Sequence, residues 1–457
     1  MNVIKYRKPD EVKDSAVEWV YRIPIDWTVC KIKHLASLKT GNSITADDKD
    51  EKYSIPLQPF YPYIGTKDID VNNSRIEYDN GLFIPKNTKF NVANKGTTLI
   101  CIEGGSAGRK IGYLEQDVCY VNKLCNLKSN DKNVNRLLYY FLKSNYFMAQ
   151  FINKTTGIIP GISTDDFKNI TTFLPPNIEL RQIANFLNIK TTQFDSIIAK
   201  KELLIRKLEE AKKSLISEVV TGKVKIIDGE MVPRQPEEMK DSGVEWLGMI
   251  PKDWEVTPIK RLFRIKKKPI YKENNVVLSL TQRGLKIKDL QNNEGQHASS
   301  YSGYQEVLED DFVMNHMDLL TGFVDCSTFI GVTSPDYRVF RIINSDICCK
   351  EFYLYYFQMC YKNKIFYGYG QGVSYYGRWR LQTEAFYYFP VVKFNYDQQV
   401  NLAQFIDTQV NFVDNLIKKL DVEITLLKQA KQSLISEAVT GKIDLRDWEI
   451  IEVGEVQ

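Results

Sequence analysis

The chain is written twice. Residues 13–35, KDSAVEWVYRIPIDWTVCKIKHL, return at 240–262 as KDSGVEWLGMIPKDWEVTPIKRL. Residues 211–224, AKKSLISEVVTGKV, return at 430–443 as AKQSLISEAVTGKI. The first pair is offset by 227 residues and the second by 219, so the interior of the second copy is eight residues shorter. Between the matching ends, roughly 36–175 and 263–390, the two copies hardly resemble each other. A duplicated frame holding two unlike inserts implies one scaffold that presents two different heads. The repeat also runs past these ends: 223–232 matches 442–451, and 7–15 matches 234–242. The N-terminal arm therefore corresponds to the linker after the first copy. The frame closes on itself, with both chain ends near its centre.

Two segments, 179–221 and 397–440, contain neither proline nor glycine. Pro175 and Pro176 precede the first and Pro390 precedes the second, while Gly222 and Gly441 follow at once. These are helix start and stop signals. Apolar residues recur every three or four positions: Leu187, Phe194, Ile198, Ile205, Leu208, Leu215 and Val219 in the first, Ile406, Val410, Val413, Ile417, Leu420, Ile424, Leu427, Leu434 and Ala438 in the second. That is a coiled-coil seam. About 43 residues at 1.5 Å each give a rod of roughly 65 Å, which needs a partner of equal length to cover its stripe. The chain supplies one, and an antiparallel intramolecular pair is expected. Dimerisation through these helices is the plainer alternative.

The inserts read as α+β domains of similar architecture. In the first, 61–70 reads as a strand and turn, 97–114 as strand, Gly-rich turn and strand, 135–152 as one amphipathic helix, and 155–176 as a loop, short helix and edge strand. In the second, 350–366 parallels the amphipathic helix and 370–390 the Gly loop and strand. The expected divisions are an arm and first head (1–176), a first long helix (177–222), a linker repeating the arm (223–250), a second head (251–392), a second long helix (393–441) and a tail (442–457).

Several function classes have no support. Net charge is only +4, from 61 basic and 57 acidic residues, so any nucleic-acid footprint must be local. Eight cysteines form no CxxC pair and there are three histidines, which makes a zinc site and a Ser-His-Asp set improbable. The turn GGSAGRK at 104–110 lacks P-loop spacing. The charged N-terminus and the absence of a long apolar run favour a cytoplasmic chain with reduced thiols. Trp19, Trp27, Trp246 and Trp254 repeat with the frame and are assigned to packing.

The paired SLISEVVTGK and SLISEAVTGK after long helices, VEWLGMIPKDWEV, YIGTKDI and the two unlike inserts resemble the specificity subunit of type I restriction–modification systems. The resemblance spans nearly the whole chain in its frame and is generic in the inserts. It implies two target-recognition domains, each reading one half of a bipartite, asymmetric DNA site. It implies that the antiparallel helices set the gap between the halves. It also implies two methyltransferase subunits, which bind S-adenosylmethionine, and restriction subunits that use ATP and Mg. This chain would hold no cofactor or metal and catalyse nothing. The alternative is a coiled-coil assembly scaffold that reads no DNA sequence.

Candidate DNA contacts are polar or basic residues on expected loops. In the first insert these are Lys67, Arg109, Lys110, Asn122, Lys123, Lys154, Thr155, Thr156 and Ser163. In the second they are Gln282, Arg283, Tyr375, Tyr376, Arg378 and Arg380, with Lys266, Lys267 and Lys268 as phosphate contacts. Arg and Gln are suited to bidentate contacts with guanine and adenine edges. The plainer reading of each is a solvated surface residue. Ser214, Leu215, Ser433 and Leu434 repeat and face either partner subunits or the neighbouring helix.

Overall fold

The computed structural model describes residues 4–51, 53–54, 59–86, 88–155, 160–266, 276–289, 303–372 and 379–449. The long helices span Asn177–Val220 and Tyr396–Val439. The chain forms two compact units, one of Met1–Glu202 with Asp421–Gln457, the other of Leu203–Leu420. Each unit holds one head and half of each long helix.

Within each unit the helices run antiparallel. In the first unit Lys431 pairs with Asp195 at 2.5 Å, Lys428 with Glu202 at 3.4 Å and Lys201 with Glu423 at 2.5 Å, so one helix ascends as the other descends. In the second unit Lys212 pairs with Asp414 at 2.5 Å. Between the charges, Ile198 and Ile424 are buried. Both helices stop where expected, at glycines with φ of +70° (Gly222) and +71° (Gly441), a conformation that is cheap only without a Cβ.

The heads share one inner sheet. In the first unit its strand order is Ser37–Thr40, Leu124–Lys128, Thr98–Cys101, Ile111–Tyr113, antiparallel throughout. In the second it is Phe263–Ile265, Arg338–Ile342, Phe312–Met314, Val324–Cys326, also antiparallel. Side chains alternate across this sheet as strand geometry requires. Ile100, Cys125 and Leu127 join the core that includes the long helices, while Leu99, Cys101 and Leu124 join a separate outer core. Phe312, Met314 and Phe340 repeat the first role in the second unit, and Val313 and Val339 the second.

The outer layers differ. The first head adds a four-stranded sheet ordered Phe83–Pro85, Phe60–Ile64, Val118–Tyr120, Val92–Ala93, with a parallel central pair. The second adds the ladders Leu278–Thr281 with Gly284–Ile287 and Gln305–Val307 with Gly331–Thr333. The two heads thus differ in architecture in the layer away from the frame.

One expected element is two. The amphipathic stretch 135–152 divides into Lys132–Leu142 and Asn145–Lys154. Ser144 makes the break: its hydroxyl donates to Phe141 O at 2.6 Å, closing the first helix, and accepts from Phe147 N at 3.2 Å, opening the second. Similarly, 370–390 holds a short helix, Thr383–Tyr388, before its strand Pro390–Lys393.

The frame closes as the repeat requires. Arg234 N donates to Lys223 O within the linker hairpin at 3.1 Å, and Arg7 N donates to Lys442 O at the same distance. The first contact joins neighbours in sequence. The second joins the N-terminal arm to the tail, reinforced by Asp444 N donating to Lys5 O at 2.8 Å. Under each head lies a buried tryptophan, Trp27 or Trp254, each 1% exposed. The Trp27 indole N–H donates to Glu179 at 2.9 Å, and Arg7 pairs with the same carboxylate. Trp254 stacks on Phe394 at 3.9 Å.

Candidate nucleic-acid interface

Strand polarity gathers loops at one end of the first head. Phe60–Ile64 and Val118–Tyr120 run parallel, so the loops after both leave on the same side. Leu124 lies opposite Cys101, which brings the start of one inner strand beside the end of the next. Segments 65–68, 102–110 and 121–123 therefore converge. Glu103 bridges Gly161, and Ile162 N donates to Ile102 O at 3.0 Å, adding the stretch before the last short helix.

This convergence brings together several of the expected residues. Lys67 is exposed on its short turn, and the neighbouring Thr66 carbonyl accepts from Lys110 Nζ at 2.6 Å. Asn122 and Lys123 are exposed, and Lys123 O accepts from Ile102 N at 2.9 Å. Both Lys110 and Lys123 lie close enough to Cys101 to act on its charge. Cys101 nevertheless has its pKa raised, because burial disfavours the thiolate more than these cations favour it. Lys67 and Lys123 give this end of the head exposed positive charge, with the half-buried Lys110 bonded to the turn beside Lys67.

Other residues fall elsewhere. Arg109 is exposed and lines a cleft of about 660 Å³ with Asn72, Asn145, Asp195 and Lys428. Lys154 ends a helix, and the Thr155 hydroxyl donates back to Phe151 O at 2.8 Å. Ser163 caps the helix Thr164–Lys168, accepting from Asp166 N at 3.0 Å, so its oxygen has a local role that alone explains a serine there. Thr156 lies outside the described residues.

The second head has a comparable convergence. Gln282 and Arg283 are exposed at the tip of the tight hairpin closed by Gly284, where φ is +108°. Gln282 Nε2 donates to Thr321 O at 3.3 Å, joining this tip to the loop 315–322. That loop is tied by Leu381 N donating to His316 O at 2.9 Å, the counterpart of the Ile162–Ile102 bond. The exposed Arg380 exchanges backbone hydrogen bonds with Gln371 at 3.0 and 3.1 Å. Tyr375, Tyr376, Arg378, Lys267 and Lys268 lie outside the described residues. Lys266 is engaged inside the head instead of being available to phosphate. Its ammonium pairs with Asp311 at 2.8 Å and Glu306 at 3.1 Å, and its side chain is only 15% exposed. A sequence shows three consecutive lysines but not the carboxylates, 40 and more residues away, that the fold sets against the first of them.

On the long helices the repeated pairs separate by role. Ser214 and Ser433 are exposed, each donating to a glutamate one turn on, Glu218 at 2.7 Å and Glu437 at 3.2 Å. Leu434 is buried and Leu215 packs against the core of its unit.

Two further observations bound the chemistry. Among the described residues, no group of three or more His, Cys, Asp or Glu could hold a metal ion. No described helix is long and apolar enough to cross a membrane.

Residues 24–210 match the family described as the type I restriction modification DNA specificity domain. Over that stretch the chain carries the type I restriction–modification specificity domain. A curated relative, the type I restriction enzyme MjaVIII specificity subunit of Methanocaldococcus jannaschii, is 27% identical over 253 residues. The match covers 55% of this chain and 52% of that protein, so the aligned stretch spans about half the length of the relative. A chain from a solved type I R-M system, reported for its complex assembly and conformational transition, shares the fold: TM-score 0.65 at 12% identity, over 93% of this chain and all of that one. The fold is therefore one that this chain shares with a component of a type I R-M system.

Proposed function

We propose that this chain is the DNA sequence-recognition subunit of a type I restriction–modification complex. It reads a bipartite, asymmetric site and positions methyltransferase subunits on it. The observation that carries this reading is the pairing of one repeated frame with two heads that differ in their outer layers. Identical heads related by a pseudo-two-fold would read a palindrome, whereas unlike heads read unlike halves. Phosphate contacts position each head, and side chains at base edges specify the sequence. In the first head Lys67, Lys110, Asn122 and Lys123 take these roles, and in the second Gln282, Arg283 and Arg380. The long helices fix the gap between half-sites.

Partner docking uses the long helices. Ile197, Val422 and Leu426 are exposed on the helices of the first unit, and Leu203, Leu204 and Phe412 on those of the second. The modification subunits bind S-adenosylmethionine, and restriction subunits, where present, use ATP and Mg. This chain contributes no cofactor and no catalytic group, and it acts in the cytoplasm.

Single-molecule sequencing of methylated bases tests the proposal, in cells expressing this chain with its cognate methyltransferase and in cells lacking the chain. An asymmetric bipartite motif that depends on the chain is the expected result. A soluble complex that adds no motif would leave an assembly scaffold.

A further inference from the structure

The internal repeat provides a control for every position, and one buried site fails it. Ile265 lies opposite Phe340 in the second head as Leu38 lies opposite Leu127 in the first. Two residues back along the same strands, Arg338 in the second head takes the place of Cys125 in the first. Their cross-strand partners, Met314 and Ile100, also correspond. Phe386 and Leu381 in the second head correspond to Phe167 and Ile162 in the first, all four buried. The same pocket is thus filled by a thiol in one head and by a guanidinium in the other.

Arg338 is 5% exposed. Its Nη2 donates to Leu381 O at 2.9 Å, and its guanidinium lies 4.6 Å from the centre of the Phe386 ring. Among the described residues no carboxylate pairs with it, and Nη1 has no hydrogen-bond partner. Burial lowers its pKa to about 10, against a smaller opposing influence from Tyr361 and Tyr387. It remains charged at neutral pH. An unpaired buried charge opposes folding, and the first head builds the same pocket without one. The fold alone does not require it.

Its surroundings show what it serves. Leu381 follows Arg380, which bridges to Gln371, and Leu381 N donates to His316 O. Tyr361, beside the guanidinium, donates its hydroxyl to Asn315 O at 2.6 Å. Asn315 and His316 form the root of the loop that Gln282 reaches at Thr321. One buried cation thus lies where the Asn315–His316 root of the 315–322 loop meets the backbone of Leu381.

We propose that Arg338 is a positioning residue for sequence reading by the second head, holding the root of the 315–322 loop and the adjoining Arg380–Leu381 backbone in the register that DNA recognition requires. This rests on the DNA-reading function proposed above. Arg338→Cys places the first head's own residue in this pocket, and Arg338→Lys retains a donor toward Leu381 O. The test uses the assembled complex of this chain with its methyltransferase subunits. Competition binding compares the cognate duplex with duplexes mismatched singly in each half, over a range of salt concentrations, with thermal melting to establish that each variant complex is folded.

Arg338→Cys should lower discrimination tenfold or more in the half-site read by the second head. The other half should keep its wild-type ratios, the salt slope should not change, and Arg338→Lys should recover part of the loss. Unchanged ratios in a folded complex overturn the inference, as does equal loss in both halves. A salt slope reduced by about one phosphate would also overturn it, since Arg338 would then touch DNA directly. If the wild-type complex itself discriminates against no mismatch, it is the DNA-reading function that fails.

Discussion

A methyl group added at Gly441 would lie 2.4 Å from the Pro24 ring and 3.0 Å from the Trp27 ring, on a backbone with φ of +71°. At Gly222 the same addition meets Pro251 at 2.5 Å and Trp254 at 3.0 Å. Each glycine thus serves twice, ending a helix and letting a tryptophan close over that end. Left-handed strain and overpacking together should make Gly441→Ala destabilising by about 2–4 kcal/mol. Hydrogen exchange should locate the loss in Met1–Glu202 with Asp421–Gln457, and Gly222→Ala should move it to Leu203–Leu420. The glycines and tryptophans were legible from their recurrence. Their mutual contact was not, because the fold brings them together from positions that the repeat lists separately.

The arm contact carries a pH dependence. Arg446 donates to Asp444 through Nε at 2.9 Å and Nη2 at 2.8 Å, and also reaches Glu11. Those donations, above all, hold the Asp444 carboxyl well below the usual carboxylate range. A folded pKa below the unfolded value stabilises the fold above about pH 4, and the gain is lost as pH falls toward the folded pKa. Asp444→Asn, which removes the charge, should cost about 1–2 kcal/mol at pH 7. Urea unfolding at pH 7, 5, 3.5 and 2.5 checks the sign. The gap between wild type and variant should be constant down to about pH 5 and clearly smaller at pH 2.5.

At the scale of elements, the long helices were the most legible part of the chain and the strands of the heads the least. A 44-residue helix repeats its period many times, so its bounds moved by only one or two residues between expectation and structure. The strands are mostly three to five residues long, too short for a period of two to stand out, and their pairing depends on register. The break at Ser144 was masked for a related reason: apolar residues continue on both sides of it, and only the hydroxyl's two bonds mark the change.

Helix regularity also makes the spacer role testable. Inserting seven residues into both helices within the seam, after Ile205 in the first and after Val413 in the second, preserves the stripe. It lengthens the rod by about 10 Å, the rise of about three base pairs. The methylated motif should keep both half-sites and widen its gap by about three base pairs. An insertion in only one helix should misalign the seam and lower the yield of soluble complex. A change in either half-site would mean that the helices do more than set distance.

At the scale of the molecule, the duplication foretold the closure of the frame, which rests on residues that recur, whereas the likeness of the inner sheets lies within the diverged stretches and shows only in the strand order. It did not reveal which loops meet. Lys67, Lys110 and Lys123 converge through strand polarity, and Lys266 turns inward because Asp311 and Glu306 are folded against it. In each unit the inner sheet shares a core with the long helices, while the divergent outer layer has its own core. The inner-sheet strand order common to both heads predicts modularity. Replacing 263–390 with the corresponding insert of another specificity subunit leaves the Trp254 joint and the glycine caps in place. The hybrid complex should methylate a motif in which one half-site and the gap are unchanged and the other half-site is new. Methylome sequencing reads all three at once. Loss of both half-sites in a folded hybrid complex would show that reading depends on coupling between the heads, and that the outer layer is not independent of the frame.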